Sequence, residues 1–242
     1  MTGADQPSAF RLAYVPGATP AKWVRIWGER HPEVPLDLVA VTAAEAAGVV
    51  REGGVDAALL RLSEDREGLH AIPLYTETTV VVVPKEHLVA AADEVSTADL
   101  ADELVLHPLD DSLGWEQLPG KPALERPETT GDAIELVAAG VGVLVVPQSL
   151  ARLHHRRDLT YRPVVDAPQS RVALSWPEGE TSDLVEQFIG IVRGRTVNST
   201  RGQQETQAKK GKAAPAKKKQ REPDRRRNVP KPGGRGKPRR RR

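Results

Sequence analysis

The sequence predicts an α/β fold, because short apolar runs typical of strands alternate with segments of helical periodicity. The runs FRLAYV (10–15), PLDLVAV (35–41) and VDAALL (55–60) are separated by capping and glycine signals. Two further runs, TTVVVV (78–83) and VGVLVV (141–146), are apolar almost throughout, as in strands buried on both faces of a sheet. This alternation predicts successive parallel β-α units.

The first half of the chain repeats a strand-helix unit. Thr19 and Pro20 predict the start of the first helix, because a hydroxyl caps a helix and proline suits its first turn. Thr42 is the candidate cap of a second helix over 43–52, and a glycine pair follows that helix.

The second half continues the alternation. Its predicted elements are a long buried strand over 76–84, a short helix over 96–101, a strand over 103–107, an irregular connection over 108–128, a helix that begins at Thr130 or Gly131, strands over 141–146, 159–165 and 171–176, and an amphipathic helix over 183–193.

Charge is distributed unevenly along the 242 residues. Residues 1–200 hold 17 Lys and Arg against 30 Asp and Glu, a net charge of −13, whereas residues 201–242 hold 18 against 3, a net charge of +15. Residues 197–242 consist mainly of Lys, Arg, Gly, Pro, Gln and Ala without an aromatic residue, which predicts a disordered basic tail.

Such a density of cations predicts salt-sensitive contact with a nucleic-acid backbone, largely independent of base sequence. A solvated tail, or one folded back on the acidic body, is the alternative. The residues predicted to make the contact are Lys209, Lys210, Lys212, Lys217, Lys218, Lys219, Arg225, Arg226, Arg227, Arg239, Arg240, Arg241 and Arg242.

Several kinds of chemistry have no residues to support them. The chain has no cysteine, which excludes disulfides, thiolate zinc sites and a cysteine nucleophile. No nucleophile elbow, zinc-protease helix or phosphate-binding loop occurs, and His154 and His155 point to different sides of a helix. We therefore expect no cofactor, no metal and no enzyme activity. Without a signal-peptide pattern or an apolar run near the ~20 residues that span a bilayer, we expect a cytoplasmic protein with no membrane contact.

Five segments occur in an order that resembles a known family. They are HPEVPLDLV (31–39), REGGVDAALL (51–60), LHAIPLYTETTVVVVPKEH (69–87), STADLADE (96–103) and ELVAAGVGVLVVPQSLA (135–151). Together they resemble the effector-binding domain of the LysR-type transcriptional regulators, which has a type 2 periplasmic-binding-protein fold.

The resemblance implies two Rossmann-like lobes joined by two crossover strands. Lobe I would combine residues 8–82 with 172–196, and lobe II would span 83–171. Members of the family carry a winged helix-turn-helix before this domain, whereas the first predicted strand here begins about nine residues after Met1. We therefore expect that DNA-reading domain to be missing.

Five residues are candidates for effector binding. Thr19 and Thr42 follow strands and precede helices, where a hydroxyl and free backbone N–H groups bind anions, and the resemblance implies that they contact effector carboxylates. Thr130 and Gly131 begin the helix of lobe II that faces the cleft. Arg61 follows the third strand and would pair with a ligand carboxylate. Simple helix capping by the threonines and a surface salt bridge for Arg61 are the alternatives.

The sequence thus predicts a LysR-like protein that binds a small organic effector, such as a carboxylate or aromatic acid, and takes part in transcriptional regulation. The resemblance implies a homodimer, and the tail adds contact with nucleic acid. The alternative is a protein-interaction module with a vestigial pocket that partners a complete regulator.

Overall fold

The computed structural model describes residues 9–62, 67–179 and 181–195, and the predicted basic tail lies outside them. Within these residues the strands are β1 (Phe10–Tyr14), β2 (Leu36–Ala40), β3 (Ala57–Arg61), β4 (Leu69–Thr76), β5 (Thr79–Pro84), β6 (Leu104–Leu106), β7 (Lys121–Pro122), β8 (Val143–Pro147), β9 (Leu159–Pro163) and β10 (Arg171–Pro177). The α-helices are α1 (Ala21–Arg30), α2 (Ala43–Arg51), α3 (Thr130–Ala138), α4 (Gln148–Leu153) and α5 (Asp183–Val192).

The strands form two five-stranded sheets, which confirms the predicted α/β class. The first sheet has the order β2-β1-β3-β10-β4, and the second has the order β7-β6-β8-β5-β9. In the first sheet β1 is parallel to β2 and β3, and β10 is antiparallel to both its neighbours. In the second sheet β6 is parallel to β7 and β8, and β5 is antiparallel to β8 and β9.

An aromatic cluster anchors the helices of the first sheet. Phe10 of β1 stacks on Trp27 of α1 with ring centroids 4.7 Å apart and lies 5.1 Å from the ring of Phe188 of α5. All three side chains are buried, and the Trp27 indole donates a hydrogen bond to the carbonyl of Val34. Burial of large rings with their polar atom satisfied makes this cluster a main source of stability for the first sheet.

The central strands of the second sheet, β5 and β8, are buried on both faces, as the two near-continuous apolar runs predict. Val80 and Val82 of β5 join one apolar cluster, whereas Val81 and Val83 join the cluster on the opposite face. Successive side chains of a strand point to opposite faces, so a run in which every residue is apolar is stable only between two cores.

The structure corrects the prediction of one strand over 76–84. The chain leaves the first sheet at Thr76, passes through Glu77 and Thr78, and enters the second sheet at Thr79. The two-lobe division stays a prediction, but strand pairing puts residues 79–82 with the second sheet, not with lobe I as expected. The return crossing covers residues 164–170, between β9 and β10. Glu77 lies at the break between the two strands. Its carboxylate accepts hydrogen bonds from Arg61 and Ser170.

The predicted cap of α2 and the predicted start of α3 agree with the structure, whereas the predicted cap of α1 does not. Thr42 caps α2 through a capping box with Glu45, as predicted. Thr19 does not cap α1, which begins after Pro20 without any side-chain cap. In α3 the cap is Thr129, so Thr130 is the first helical residue.

Three of the strands and α-helices, β4, β7 and α4, have no counterpart among the elements predicted from sequence. The strand β7 has only two residues and lies in the connection over 108–128 that was predicted to be irregular. The strand β4 contains Pro73 and alternates poorly, which its edge position in the sheet allows. The helix α4 has six residues, too few to show a helical period. The predicted helix over 96–101 is only a 3₁₀ turn at Ala98–Leu100. None of the helices in the described residues has both the length and the apolar character needed to span a bilayer.

Candidate functional site

A cavity lies between two strand-helix junctions of the first sheet and α4, the helix that follows β8 of the second sheet. Its volume is about 730 Å³, and its walls come from the β1-α1 loop, the β2-α2 junction and α4. The lining residues are Tyr14, Pro16, Gly17, Ala18, Thr19, Ala40, Val41, Thr42, Glu45, Ser149, Arg152 and Leu153. Parallel strands β1 and β2 end here, at the edge where open α/β sheets bind their ligands.

Thr19 and Thr42 both line this cavity, as expected for neighbouring strand-helix junctions. The Thr42 hydroxyl donates to Oε2 of Glu45 at 2.8 Å and accepts from the Glu45 backbone N–H at 3.2 Å. The Thr42 N–H also donates to the same carboxylate oxygen at 3.2 Å. The side chain of Glu45 thus bonds the Thr42 groups that the sequence predicted for an effector.

The β1-α1 loop touches α4 through Gly17. The backbone of Gly17 has φ +84°, and a Cβ atom there would lie 2.6 Å from Oγ of Ser149 and 3.0 Å from a terminal nitrogen of Arg61. Only glycine combines this backbone conformation with such a close approach. The position therefore requires glycine. Its close approach to Ser149 packs one wall of the cavity, the β1-α1 loop, against another wall, α4.

Arg61 lies beside the cavity in a buried ion pair, rather than on the surface or free for a ligand. Its Nε donates to Oε2 of Glu77 at 2.8 Å, and the two side chains are 6% and 4% exposed. Its other nitrogens donate to the carbonyl of Pro16 at 2.9 Å and to Oγ of Ser149 at 3.1 Å. Glu77 also accepts from the hydroxyls of Ser149 and Ser170.

We call these four side chains, Arg61, Glu77, Ser149 and Ser170, the crossover cluster. They join the end of β3 and the start of α4 to both crossing segments. Burial raises the pKa of the Glu77 carboxyl, but the hydrogen bonds from Ser149, Ser170 and Arg61, together with the charge of Arg61, outweigh burial and hold that pKa below its usual value. Glu77 is therefore ionised and fully hydrogen-bonded, which is the condition for a stable buried carboxylate.

Thr130 and Gly131 do not line this cavity. The Thr130 side chain is 2% exposed and its hydroxyl donates to Oδ1 of Asp110 at 2.9 Å. Gly131 lies next to His154, whose Cε1 would be 3.4 Å from an added Cβ. The structure thus brings together Thr19 and Thr42, with Arg61 adjacent, and keeps the other two candidates apart from them.

Sequence reasoning missed Glu77, Ser149, Glu45 and Arg152. A signal was present for two of them. Glu77 is a lone carboxylate beside an unbroken β-branched run, where a charge needs a partner. Ser149 follows a strand and begins a helix, the same position that identified Thr19 and Thr42. Nothing local marks Glu45 or Arg152 as cavity residues.

A metal-binding role has no support in the described ranges. Across residues 9–62, 67–179 and 181–195, no group of three or more His, Cys, Asp or Glu side chains is arranged to hold a metal ion. The chemistry of the cavity is therefore that of hydroxyls, one carboxylate, one guanidinium and apolar walls.

Curated relatives are transcriptional regulators by their descriptions. A probable hydrogen peroxide-inducible genes activator of Mycobacterium avium is 30% identical over 154 residues, which are 59% of this chain and 50% of that protein. The HTH-type transcriptional regulator CatR of Pseudomonas putida is 29% identical over 171 residues, covering 66% of this chain and 58% of CatR. The chain thus spans between half and three fifths of these relatives.

Solved structures share the fold. The BenM effector binding domain with its effector benzoate has a TM-score of 0.64 at 21% identity, covering 78% of this chain and 95% of that one. The oxidized form of OxyR gives the same TM-score and identity, covering 78% of this chain and 96% of that one.

A family model described as the LysR substrate binding domain matches residues 10–196, which is most of the chain and includes both sheets and the whole cavity. The order of elements and the two-sheet architecture agree with that match. The chain therefore belongs to the LysR substrate-binding domain family.

Proposed function

We propose that the described domain binds a small organic effector in the 730 Å³ cavity and that the bound state regulates transcription. The cavity carries this proposal, because its position at the ends of β1 and β2 is where such folds take ligands. Cavities of roughly 300–1,000 Å³ suit small organic molecules. Membership of the LysR family supports the connection with transcription.

Thr19 and Thr42 would contact the effector directly, since both line the cavity. Arg61 would act indirectly, because its guanidinium positions Ser149 in the cavity wall. A contact from Thr130 or Gly131 would require Thr130 to give up its bond to Asp110, and it is the weakest of the five assignments.

The effector we propose is an organic acid. Benzoate is the effector in the similar BenM structure, and the apolar wall formed by Tyr14, Val41 and Leu153 would accept the body of such a molecule. Hydrogen peroxide appears in the name of the mycobacterial relative, but we do not propose it as the effector of this chain. The chain has no cysteine, and its one methionine is Met1, so the side chains that peroxide oxidises most readily are lacking in the cavity.

Thermal unfolding of the full chain against a panel of organic acids tests this function. A ligand at about 100 times its Kd adds ~2.7 kcal/mol, which corresponds to roughly 5–10 °C in Tm for a domain of this size. Thr42→Ala removes a capping box inside the cavity, and Thr129→Ala removes the matching box of α3 outside it. Both should cost about 1 kcal/mol of stability, but only Thr42→Ala should weaken the ligand response.

Equal ligand responses in the two variants would place binding elsewhere. If no compound raises the Tm, the alternative function, a protein-interaction module with a vestigial pocket, becomes the better explanation.

The proposal also includes non-enzymatic action, a cytoplasmic location and a homodimer. Sedimentation of the chain at tens of micromolar tests the homodimer.

We also propose that the basic tail contacts nucleic acid without reading its sequence. Its net charge of +15 over residues 201–242 supports this, because cations that replace condensed counterions give binding that falls steeply with salt. Binding of an operator-like and a scrambled duplex should be compared for the full chain and for a chain ending at Asn198, at two salt concentrations. We expect the full chain alone to bind, with no preference between the duplexes. Binding by the shortened chain would contradict the proposal.

A further inference from the structure

The cavity contains two opposite charges that do not pair with each other. Glu45 lines it from α2 and Arg152 lines it from α4. Glu45 bonds only Thr42, through Oε2, and among the described residues nothing bonds its second oxygen, Oε1. Arg152 bonds only the Tyr161 hydroxyl, through Nε at 3.3 Å, so its terminal nitrogens have no partner within the same residues.

The free charged group on the α2 side is the Glu45 carboxylate. The Thr42 hydroxyl has already used its single proton on Glu45, so it can only accept further bonds. The Thr42 hydrogen bonds hold the pKa of Glu45 below its usual value, so this carboxylate stays charged near neutral pH. A ligand group that pairs with this carboxylate must donate hydrogen bonds and carry positive charge.

The free charged group on the α4 side is the Arg152 guanidinium. Arg152 is exposed and forms no ion pair with any described residue. The other guanidinium next to the cavity, that of Arg61, is neutralised by Glu77. Arg152 is thus the cation left for an anionic ligand group, and a carboxylate is its natural partner because of the two parallel N–H donors of the guanidinium.

From these two opposite charges on facing sides of the cavity we infer that the effector is a zwitterion, with a primary or secondary ammonium group held by Glu45 and a carboxylate held by Arg152. The inference rests on the proposed function and narrows its ligand class. A ligand with only a carboxylate would pair with Arg152 but leave the charge of Glu45 covered and unpaired. A ligand with only an ammonium group would pair with Glu45 but leave the charge of Arg152 covered and unpaired. An uncompensated charge in a covered site costs binding free energy.

The test is calorimetric titration of the full chain with matched triplets of compounds. One triplet is 4-(aminomethyl)benzoate, benzoate and benzylamine, and others are ω-amino acids of increasing length with the corresponding acids and amines. We expect one zwitterion to bind at least about tenfold more tightly than both its single-charge counterparts, as for one partly exposed charge-assisted contact.

Two variants assign the charges. Glu45→Gln keeps a capping box, because glutamine also serves at that position, and should abolish the preference over the acid. Arg152→Gln should abolish the preference over the amine. Arg157→Gln, an exposed arginine of the same segment that does not line the cavity, is the control and should change neither preference.

The outcomes separate this inference from the proposed function. If acids bind through the cavity as tightly as zwitterions, or if only acids bind, the zwitterion inference is wrong and the proposed function stands. If only amines or neutral compounds bind, the zwitterion inference and the organic-acid assignment are both wrong, but the proposed binding of a small organic effector stands. If no compound of any charge class binds, both are wrong. A zwitterion preference that survives both Glu45→Gln and Arg152→Gln would also overturn the inference.

Discussion

Arg61 and Glu77 form a buried ion pair with 2.8 Å between Nε and Oε2, at the point where the chain leaves the first sheet. The pair joins the end of β3 to the first crossing segment, and Ser170 on the return crossing completes the carboxylate's hydrogen bonds. The Glu77 N–H also donates to the Ser170 carbonyl at 2.8 Å. The crossover cluster therefore ties the two crossing segments to each other.

Removing one partner of this pair should destabilise the domain strongly. Arg61→Met leaves the Glu77 carboxylate buried without its cation, and we expect a loss of about 3–5 kcal/mol in the free energy of unfolding. Arg61→Met combined with Glu77→Leu should recover much of that loss. Urea denaturation measures both. Arg25→Ala, which breaks the exposed pair with Glu29, is the control and should cost less than about 1 kcal/mol.

The contribution of Glu77 to the free energy of unfolding should decrease as the pH falls. The folded-state pKa of Glu77 lies below its usual value, so its ionised form stabilises the fold above the unfolded pKa of about 4.3, and this stabilisation is lost as pH falls through the folded pKa. The difference in unfolding free energy between the natural protein and Glu77→Gln should therefore be largest near neutral pH and shrink below about pH 4. A difference that does not change between pH 7 and pH 3 would contradict the ionised assignment.

Gly17→Ala should damage the cavity wall. The added Cβ would lie 2.6 Å from Oγ of Ser149 and would also sit at φ +84°. We expect a loss of at least about 2 kcal/mol, combining backbone strain with overpacking. Gly53→Ala is the control, because Gly53 has φ +70° but open space around it, so it should show the strain alone, about 1 kcal/mol. Equal losses in the two variants would show that Ser149 moves away freely.

Thr130→Val separates the two roles open to Thr130. The change removes the bond to Asp110 at an almost fully buried position, so stability should fall by about 1–2 kcal/mol. If Thr130 serves only to hold Asp110, the affinity for an effector measured by calorimetry should stay within about twofold. A much larger drop in affinity would support the direct contact that the family resemblance implies.

The sequence alone was enough to determine the α/β class, the two doubly buried strands and the α2 cap, because each depends on local information. An unbroken β-branched run such as 79–83 is stable only when both faces are covered. The signal at Thr42 and Glu45 lies within a single helical turn. The order of five short segments was enough to indicate the family.

Which charges pair depends on contacts between residues that are far apart in the sequence. Arg61 contacts Glu77, 16 residues away, and Ser149, 88 residues away, and no local pattern encodes such pairings. For the same reason the structure reassigned residues 79–82 to the second sheet and brought Glu45 and Arg152 to one cavity. Periodicity indicates whether a residue is buried. Chain topology determines which partner stabilises a buried charge or a charge in a cavity.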